Sequence, residues 1–316
     1  MNFSMIFPGH SVIKCSSLKK LNLDNNIIKN TFDKASDYCN FNFWKLIKDE
    51  NVHQAIKKKY FQIMIMISSV AIYNFWKKKI IKKPVFMLGH SVGEYSALVC
   101  SNSISFFDAI SILKFRERIM YDTMKINSGI MQVVIGLKKK KIEKICSLLN
   151  KNNHVVSIAS INSKNQIVIS GKKSSVILAS TMCKKYGAYR IITLPIKIAS
   201  HCILMKNASF LLKNFLKNKN INLPKNVVIN PVHVSQYNCI ENIRKYLSKQ
   251  LTSVIKWSDS INYIINKKIT IFLEIGTSYI LTHLNKEYKN IYTIPINNYK
   301  NFLYAKKKIY DKKYIL

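Results

Sequence analysis

Short apolar runs alternate with longer stretches of helical period along this chain. The first run, FSMIFPG at 3–9, has a counterpart in PVFMLG at 84–89; each ends in a glycine at a turn, and both read as buried strands. Segments of helical periodicity lie between them, the last being FQIMIMISSVAIYNFW at 61–76. After the second run, EYSALVC and FFDAISILKFRERIMYDTMK (106–125) read as helices. Strand, helix, strand, helix is the opening of an α/β fold.

From 127 to 196 the pattern changes. The order there is strand IMQVVIGL, helix KKKIEKICSLL, strand VVSIASI, strand QIVISG, helix SSVILASTMCKKYG and strand YRIITLPI. This βαββαβ order is ferredoxin-like. Asn127, Ser128 and Gly129 form a loop signal at its start and Pro195 stands near its end, so it reads as an insertion. The expected division is 1–126 with 197–316 as one α/β domain, and 127–196 as a small inserted subdomain. In the second half of the large domain a helix at 202–218, a strand at 227–230 (VVIN), a helix at 241–251 and a strand at 270–276 (TIFLEIG) are expected. The Lys-rich tail reads as frayed.

With 316 residues and 48% apolar content, the chain can bury one large core or two unequal ones. Its formal net charge of +36 rests on 51 Lys and Arg against 15 Asp and Glu. Only four of the basic residues are arginine (116, 118, 190, 244), and lysines run as KKK at 57–59, 77–79, 138–140 and 306–308. Bidentate reading of bases and phosphates uses arginine, so solvated lysine faces explain these runs better, and no nucleic-acid partner is expected. A basic surface still attracts an acidic protein or a phosphorylated molecule.

The seven cysteines (15, 39, 100, 146, 183, 202, 239) are scattered and include no C-x-x-C, against a disulfide framework or a zinc site. A reducing cytoplasm is the expected location. The stretch at 61–76 is shorter than the ~20 residues of a bilayer span and contains Gln62, Ser68, Ser69 and Asn74, so no membrane insertion is expected. No secretory signal is read at the amino terminus.

The tetrapeptide GHSV occurs at 9–12 and again at 89–92. The second copy lies in G-x-S-x-G between a strand and a helix, the setting of a nucleophile elbow. Gly89 and Gly93 leave room for the sharp turn, and the following helix aims amides and the positive end of its dipole at the region where an oxyanion would form near Ser91. A serine needs a base. Of seven histidines, His90 adjoins Ser91 but points away at an elbow. His201 stands before an amphipathic helix with Ser200 as a cap, a position that favours its neutral form; His10, His53, His154, His233 and His283 stay open on this ground alone.

The stretch GHSVGEYSALVC resembles the active-site signature of malonyl-CoA:acyl carrier protein transacylases, usually GHSLGEYSALV. In order along the chain, FRERIM (115–120) looks like that family's arginine helix, SGIMQVVIGL the entry to its small subdomain, NSKNQIVISG its central hairpin, SHCILMK its histidine segment and QLTSVIKW its late glutamine segment. The resemblance spans nearly the whole chain. It implies an α/β-hydrolase-like large domain with a parallel sheet and a ferredoxin-like insertion. It also implies Ser91 as nucleophile and His201 as general base, the ring oriented by a backbone carbonyl in the segment carrying Gln250, with no essential acidic third member.

Arg116 bears on substrate class. A guanidinium in an apolar pocket is costly unless it meets a carboxylate, which its planar fork binds through parallel hydrogen bonds. Malonyl thioester carries a carboxylate and acetyl does not. Met120 and Ile112 lie one turn away on the same helix face, and Arg118 projects elsewhere. The implied reaction is ping-pong transfer from malonyl-CoA to the phosphopantetheine thiol of an acidic acyl carrier protein, in a monomer needing no metal or other cofactor.

Three loops depart from the family. FPGHSVIK replaces FPGQGSQ, Gly276, Thr277 and Ser278 replace G-P-G, and Ala199 stands where proline is common. Ser11 has no elbow to present it; by position the first copy matches the family's oxyanion loop, where the backbone amide of His10 would oppose that of Val92. Two rivals remain open at this point: an esterase or thioesterase on the same fold, and a degenerated non-catalytic chain that binds acyl carrier protein.

Overall fold

The computed structural model describes residues 1–9, 13, 15–21, 26–48, 60–126, 128–196 and 198–311, with backbone alone at 15, 19, 20, 47 and 48. The first GHSV copy is thus described only at Gly9, and the expectations for His10, Ser11 and His53 lie outside the described residues.

Two sheets organise the described residues. The larger runs β10-β9-β1-β2-β7-β8, where β1 is Phe3–Phe7, β2 Phe86–Gly89, β7 Val227–Asn230, β8 Ser235–Gln236, β9 Ile271–Glu274 and β10 Tyr292–Pro295. Its first five members pair in parallel, and β8 closes the edge antiparallel to β7. All five residues of β1 are buried, as a central parallel strand covered on both faces requires. Its side chains alternate between two apolar cores: Phe3, Met5 and Phe7 enter the one that includes Ile63, Ile67 and Phe302, and Ile6 enters the other with Trp257 and Ile261. The helix Phe61–Lys79 is apolar on nearly every face because it is wrapped by the first of these cores. Among the described residues no helix is long and apolar enough to cross a membrane.

The smaller sheet runs β4-β5-β3-β6, all antiparallel, from β3 (Gly129–Ile135), β4 (Val156–Ser163), β5 (Gln166–Lys172) and β6 (Arg190–Thr193). Helices Lys139–Lys151 and Lys173–Lys185 lie in its connections, giving the βαββαβ order and ferredoxin-like strand arrangement. Ile142, Ile145 and Leu149 from one helix and Val176, Ala179 and Cys183 from the other meet Val134, Ile158, Ile167 and Ile169 in a separate core.

Three expectations need correction. The Lys-rich tail is not frayed at 299–310: Tyr299–Tyr310 is a helix, capped by Asn298, whose side chain accepts from the Asn301 amide at 2.8 Å, and held by buried Phe302, Ala305 and Ile309. Its lysines conceal a helical apolar stripe. The segment after His201 is not one helix from 202, but a 3-10 turn, Ile203–Met205, followed by the helix Lys206–Lys217. Ser200 therefore caps neither, the residues before them being Cys202 and Met205. Strands β8 and β10, of two and four residues, are too short to show a period.

Candidate active site

The carboxyl ends of β1, β2 and β9 point the same way, and the chain leaves β2 through Gly89, His90, Ser91 and Val92 into the helix Gly93–Cys100. Ser91 sits at φ 52°, in the left-handed region. That turn is so tight that a Cβ on Gly89 would lie 2.1 Å from the Glu94 nitrogen, and one on Gly93 would lie 2.1 Å from the Phe7 carbonyl oxygen of β1. Only glycine fits at either position, which is the physical content of the G-x-S-x-G spacing. Val92 has helical φ and precedes the helix, so its amide is among the N–H groups that a helix start leaves without an intrahelical acceptor.

The Ser91 Oγ lies 3.0 Å from Nε2 of His201. On the other side of that ring, Nδ1 lies 2.7 Å from the backbone oxygen of Gln250, in the turn that follows the helix Ile240–Lys249. A carbonyl can only accept, so Nδ1 carries the proton and Nε2 is left with its lone pair toward the serine hydroxyl. His201 is 5% exposed, and burial pulls its pKa from 6.5 to about 3, with the nearby Arg116 charge adding to the effect. The ring is thus neutral, as expected for a base, but the cause is burial and not a helix terminus. His90 turns away from Ser91: its Nε2 is 3.1 Å from Asn162 Oδ1 and 3.3 Å from Ser160 Oγ on β4.

Arg116 is 1% exposed on the helix Phe106–Ile126, with Ile112 and Met120 buried on its face. One terminal nitrogen donates to Oε1 of Gln62 and the other to Oε1 of Gln250 at 3.2 Å. The ring of Tyr95 lies 5.8 Å from the guanidinium carbon. Among the described residues no carboxylate is within salt-bridge distance of Arg116. Two neutral amide oxygens hold the cation in place without neutralising it, so it retains its attraction for an incoming carboxylate. Met120 contributes its thioether at 3.9 Å from Nε2 of Gln62. Arg118 lies over the Phe115 ring at 5.2 Å.

The structure therefore brings Ser91, His201, Gln250, Arg116 and Met120 into one connected cluster and sets Val92 at its helix start. Two members were not anticipated. Gln62, 7% exposed, is a lone amide inside the apolar run FQIMIMI, and a buried amide needs partners; its backbone amide also meets Glu117 Oε1 at 3.5 Å. Glu94 follows the elbow with 0% exposure, and its carboxylate accepts from Asn230 at 3.1 Å, from the Tyr237 hydroxyl at 2.6 Å and from the Gln250 side chain. Burial pushes Glu94 up to about 7 and Glu117 up to about 8. An acid in the first turn of a short apolar helix is the signal that marks Glu94 for attention.

The family described as acyl transferase domain matches residues 31–298. The malonyl CoA-acyl carrier protein transacylase of Buchnera aphidicola subsp. Schizaphis graminum is 42% identical over 310 residues, covering 98% of this chain and 99% of the relative. The protein of the same name from Escherichia coli K12 is 34% identical over 284 residues, 90% of this chain and 92% of the relative. Among solved structures, the malonyl CoA-acyl carrier protein transacylase of Coxiella burnetii superposes with a TM-score of 0.94 at 31% identity, covering 98% of each chain. A malonyl-transacylase solved in complex with its type II polyketide acyl carrier protein superposes at 0.93 with 32% identity, covering 98% of this chain and 100% of that one.

Proposed function

The chain belongs to the acyl transferase family, among the malonyl-CoA:acyl carrier protein transacylases, and on that premise we propose how its own residues move a malonyl group from malonyl-CoA to the phosphopantetheine thiol of acyl carrier protein. The reaction is acyl transfer in fatty acid synthesis, and it uses side chains and backbone amides with no cofactor. The observation that supports the residue assignment best is the chain of contacts from Ser91 Oγ through His201 to the Gln250 carbonyl.

Ser91 Oγ passes its proton to Nε2 of His201 as it attacks the thioester carbonyl carbon, and the electron pair of the C=O moves to oxygen. The amide of Val92 faces that developing charge, and the amide of His10 is assigned as the second donor from its position in sequence. The C–S bond breaks, the departing CoA sulfur takes the proton from His201, and malonyl remains as an ester on Ser91. Arg116 binds the free malonyl carboxylate, with Met120 beside it. The carrier thiol then gives its proton to His201 and attacks the ester carbonyl; the C–O bond breaks and the proton returns to Ser91.

The same reading takes 127–196 as an inserted subdomain, supported by a second sheet whose strands all fall between Gly129 and Thr193. A net charge of +36 suits an acidic carrier protein. Free thiols at Cys39, Cys100, Cys146, Cys183, Cys202 and Cys239 fit a reducing cytoplasm.

Intact-mass spectrometry of the protein mixed with malonyl-CoA tests the reading. A malonyl adduct on Ser91, discharged by holo acyl carrier protein, is expected; no adduct, or one that persists in Ser91→Ala, overturns it.

A further inference from the structure

The mechanism uses Gln250 twice, through its backbone oxygen to His201 and its side-chain oxygen to Arg116. What decides that the side chain presents oxygen to the guanidinium? The two ends of a primary amide have the same shape and opposite hydrogen-bonding character. If the Gln250 amide turned over, its NH2 would face the Arg116 cation, and one guanidinium donor would lose its acceptor.

The opposite end of that amide is occupied by Glu94. Nε2 of Gln250 donates to Oε2 of Glu94, and also to the Ser91 carbonyl at 3.2 Å. Glu94 is fixed in turn on its other oxygen, Oε1, by the Asn230 amide and the Tyr237 hydroxyl. Asn230 has its own orientation set, because its Oδ1 accepts the backbone amides of Val232 at 2.9 Å and His233 at 2.8 Å. Asn230, Glu94 and Gln250 are each 0% exposed, so water does not compete for these bonds. Main chain thus orients Asn230, Asn230 and Tyr237 orient Glu94, and Glu94 as a carboxylate accepts only the NH2 end of Gln250.

We propose that Glu94 is a positioning residue for malonyl selectivity, which holds the Gln250 amide in the orientation that turns its oxygen to Arg116. The inference rests on the reading of Arg116 as the malonyl carboxylate site. It also places a carboxylate near the cation without pairing the two directly, since the amide stands between them. A direct ion pair would have to be broken for malonyl to bind.

In Glu94→Gln the side chain has one oxygen for three surrounding donors. Its NH2 then faces Gln250, which satisfies it by turning over. Rates with malonyl-CoA and acetyl-CoA are measured for the parent chain, Glu94→Gln, Arg116→Ala and the double variant, with holo acyl carrier protein as acceptor. The expected result is a fall in kcat/KM for malonyl-CoA of about tenfold, mostly in KM, with transfer of acetyl nearly unchanged. In the Arg116→Ala background the second substitution should change malonyl transfer less than about twofold. Equal losses for malonyl and acetyl, or a full Glu94→Gln effect without Arg116, would overturn the proposal. Glu94→Asp, which keeps the charge and withdraws the carboxylate by one methylene, takes its place where Glu94→Gln fails to fold, with the same expectations. A parent chain that forms no malonyl-serine refutes the functional reading itself, and that measurement is made first.

Discussion

Ser91 and His201, whose side chains meet at 3.0 Å, are both held with left-handed backbone, at φ 52° and 61°. An L-residue with a Cβ is disfavoured there by roughly 1–2 kcal/mol, and two such positions facing each other mark where the fold gives up stability to aim side chains. Ser91→Gly and Ser91→Ala should both abolish transfer. The glycine variant should be the more stable of the two by about 1 kcal/mol in denaturant unfolding, because only it relaxes the backbone.

Arg116→Ala should lower kcat/KM for malonyl-CoA by about 100-fold while leaving acetyl-CoA little affected, since charge-assisted bonds to a buried carboxylate are the stronger kind. Steady-state kinetics with both thioesters reads this as the ratio of the two constants.

Burial holds His201 at about 3, against an ordinary 6.5, so its ring is already neutral through the acid range. The pH profile of Ser91 acylation by acetyl-CoA, which has no carboxylate for Arg116 and so does not draw on the charge of Glu94, should be flat from about pH 5 to 8, where an ordinary histidine would lose activity below its own pKa. Stability carries the opposite cost. The unfolded chain binds a proton at this residue below 6.5 that the folded chain refuses until about 3, so the contribution of His201 to stability falls as pH falls through that window.

Glu274, at the end of β9, is shifted the other way: burial raises it to about 7, against hydrogen bonds from Thr282, Leu281 and Ser278 that pull it down. The folded chain keeps a proton there that the unfolded chain has released above 4.5, so stability from this group is complete below 4.5 and is lost as pH rises through about 7. Thermal melts between pH 5 and 8 should therefore show a smaller decline in Glu274→Gln than in the parent chain.

The placing of Ser91, His201 and Arg116 in one cluster was legible from glycines that alone fit a tight turn, from an arginine on an otherwise apolar helix face and, for His201, from a segment that resembles the family's, the histidines being otherwise undecided. Gln62, Glu94, Asn230 and Tyr237 were not assigned, because their meaning lies in contacts between elements far apart in the chain, with Glu94 and Gln250 separated by 156 positions. The neutral state of His201 was anticipated from a helix start that is not there; burial, which a sequence window does not reveal, supplies it. The order of long elements was readable from period, whereas β8 and β10 were too short, and lysine density hid the stripe of Phe302, Ala305 and Ile309.

The place of β1 in the large sheet has a consequence for synthesis. Phe3–Phe7 is synthesised before both of its pairing partners, β2 at 86–89 and β9 at 271–274. One edge of this strand, apolar except for Ser4, must wait until β9 has been made before it is covered. Until β9 follows, the nascent chain carries an uncovered, strand-forming hydrophobic edge of the kind a chaperone is suited to shield.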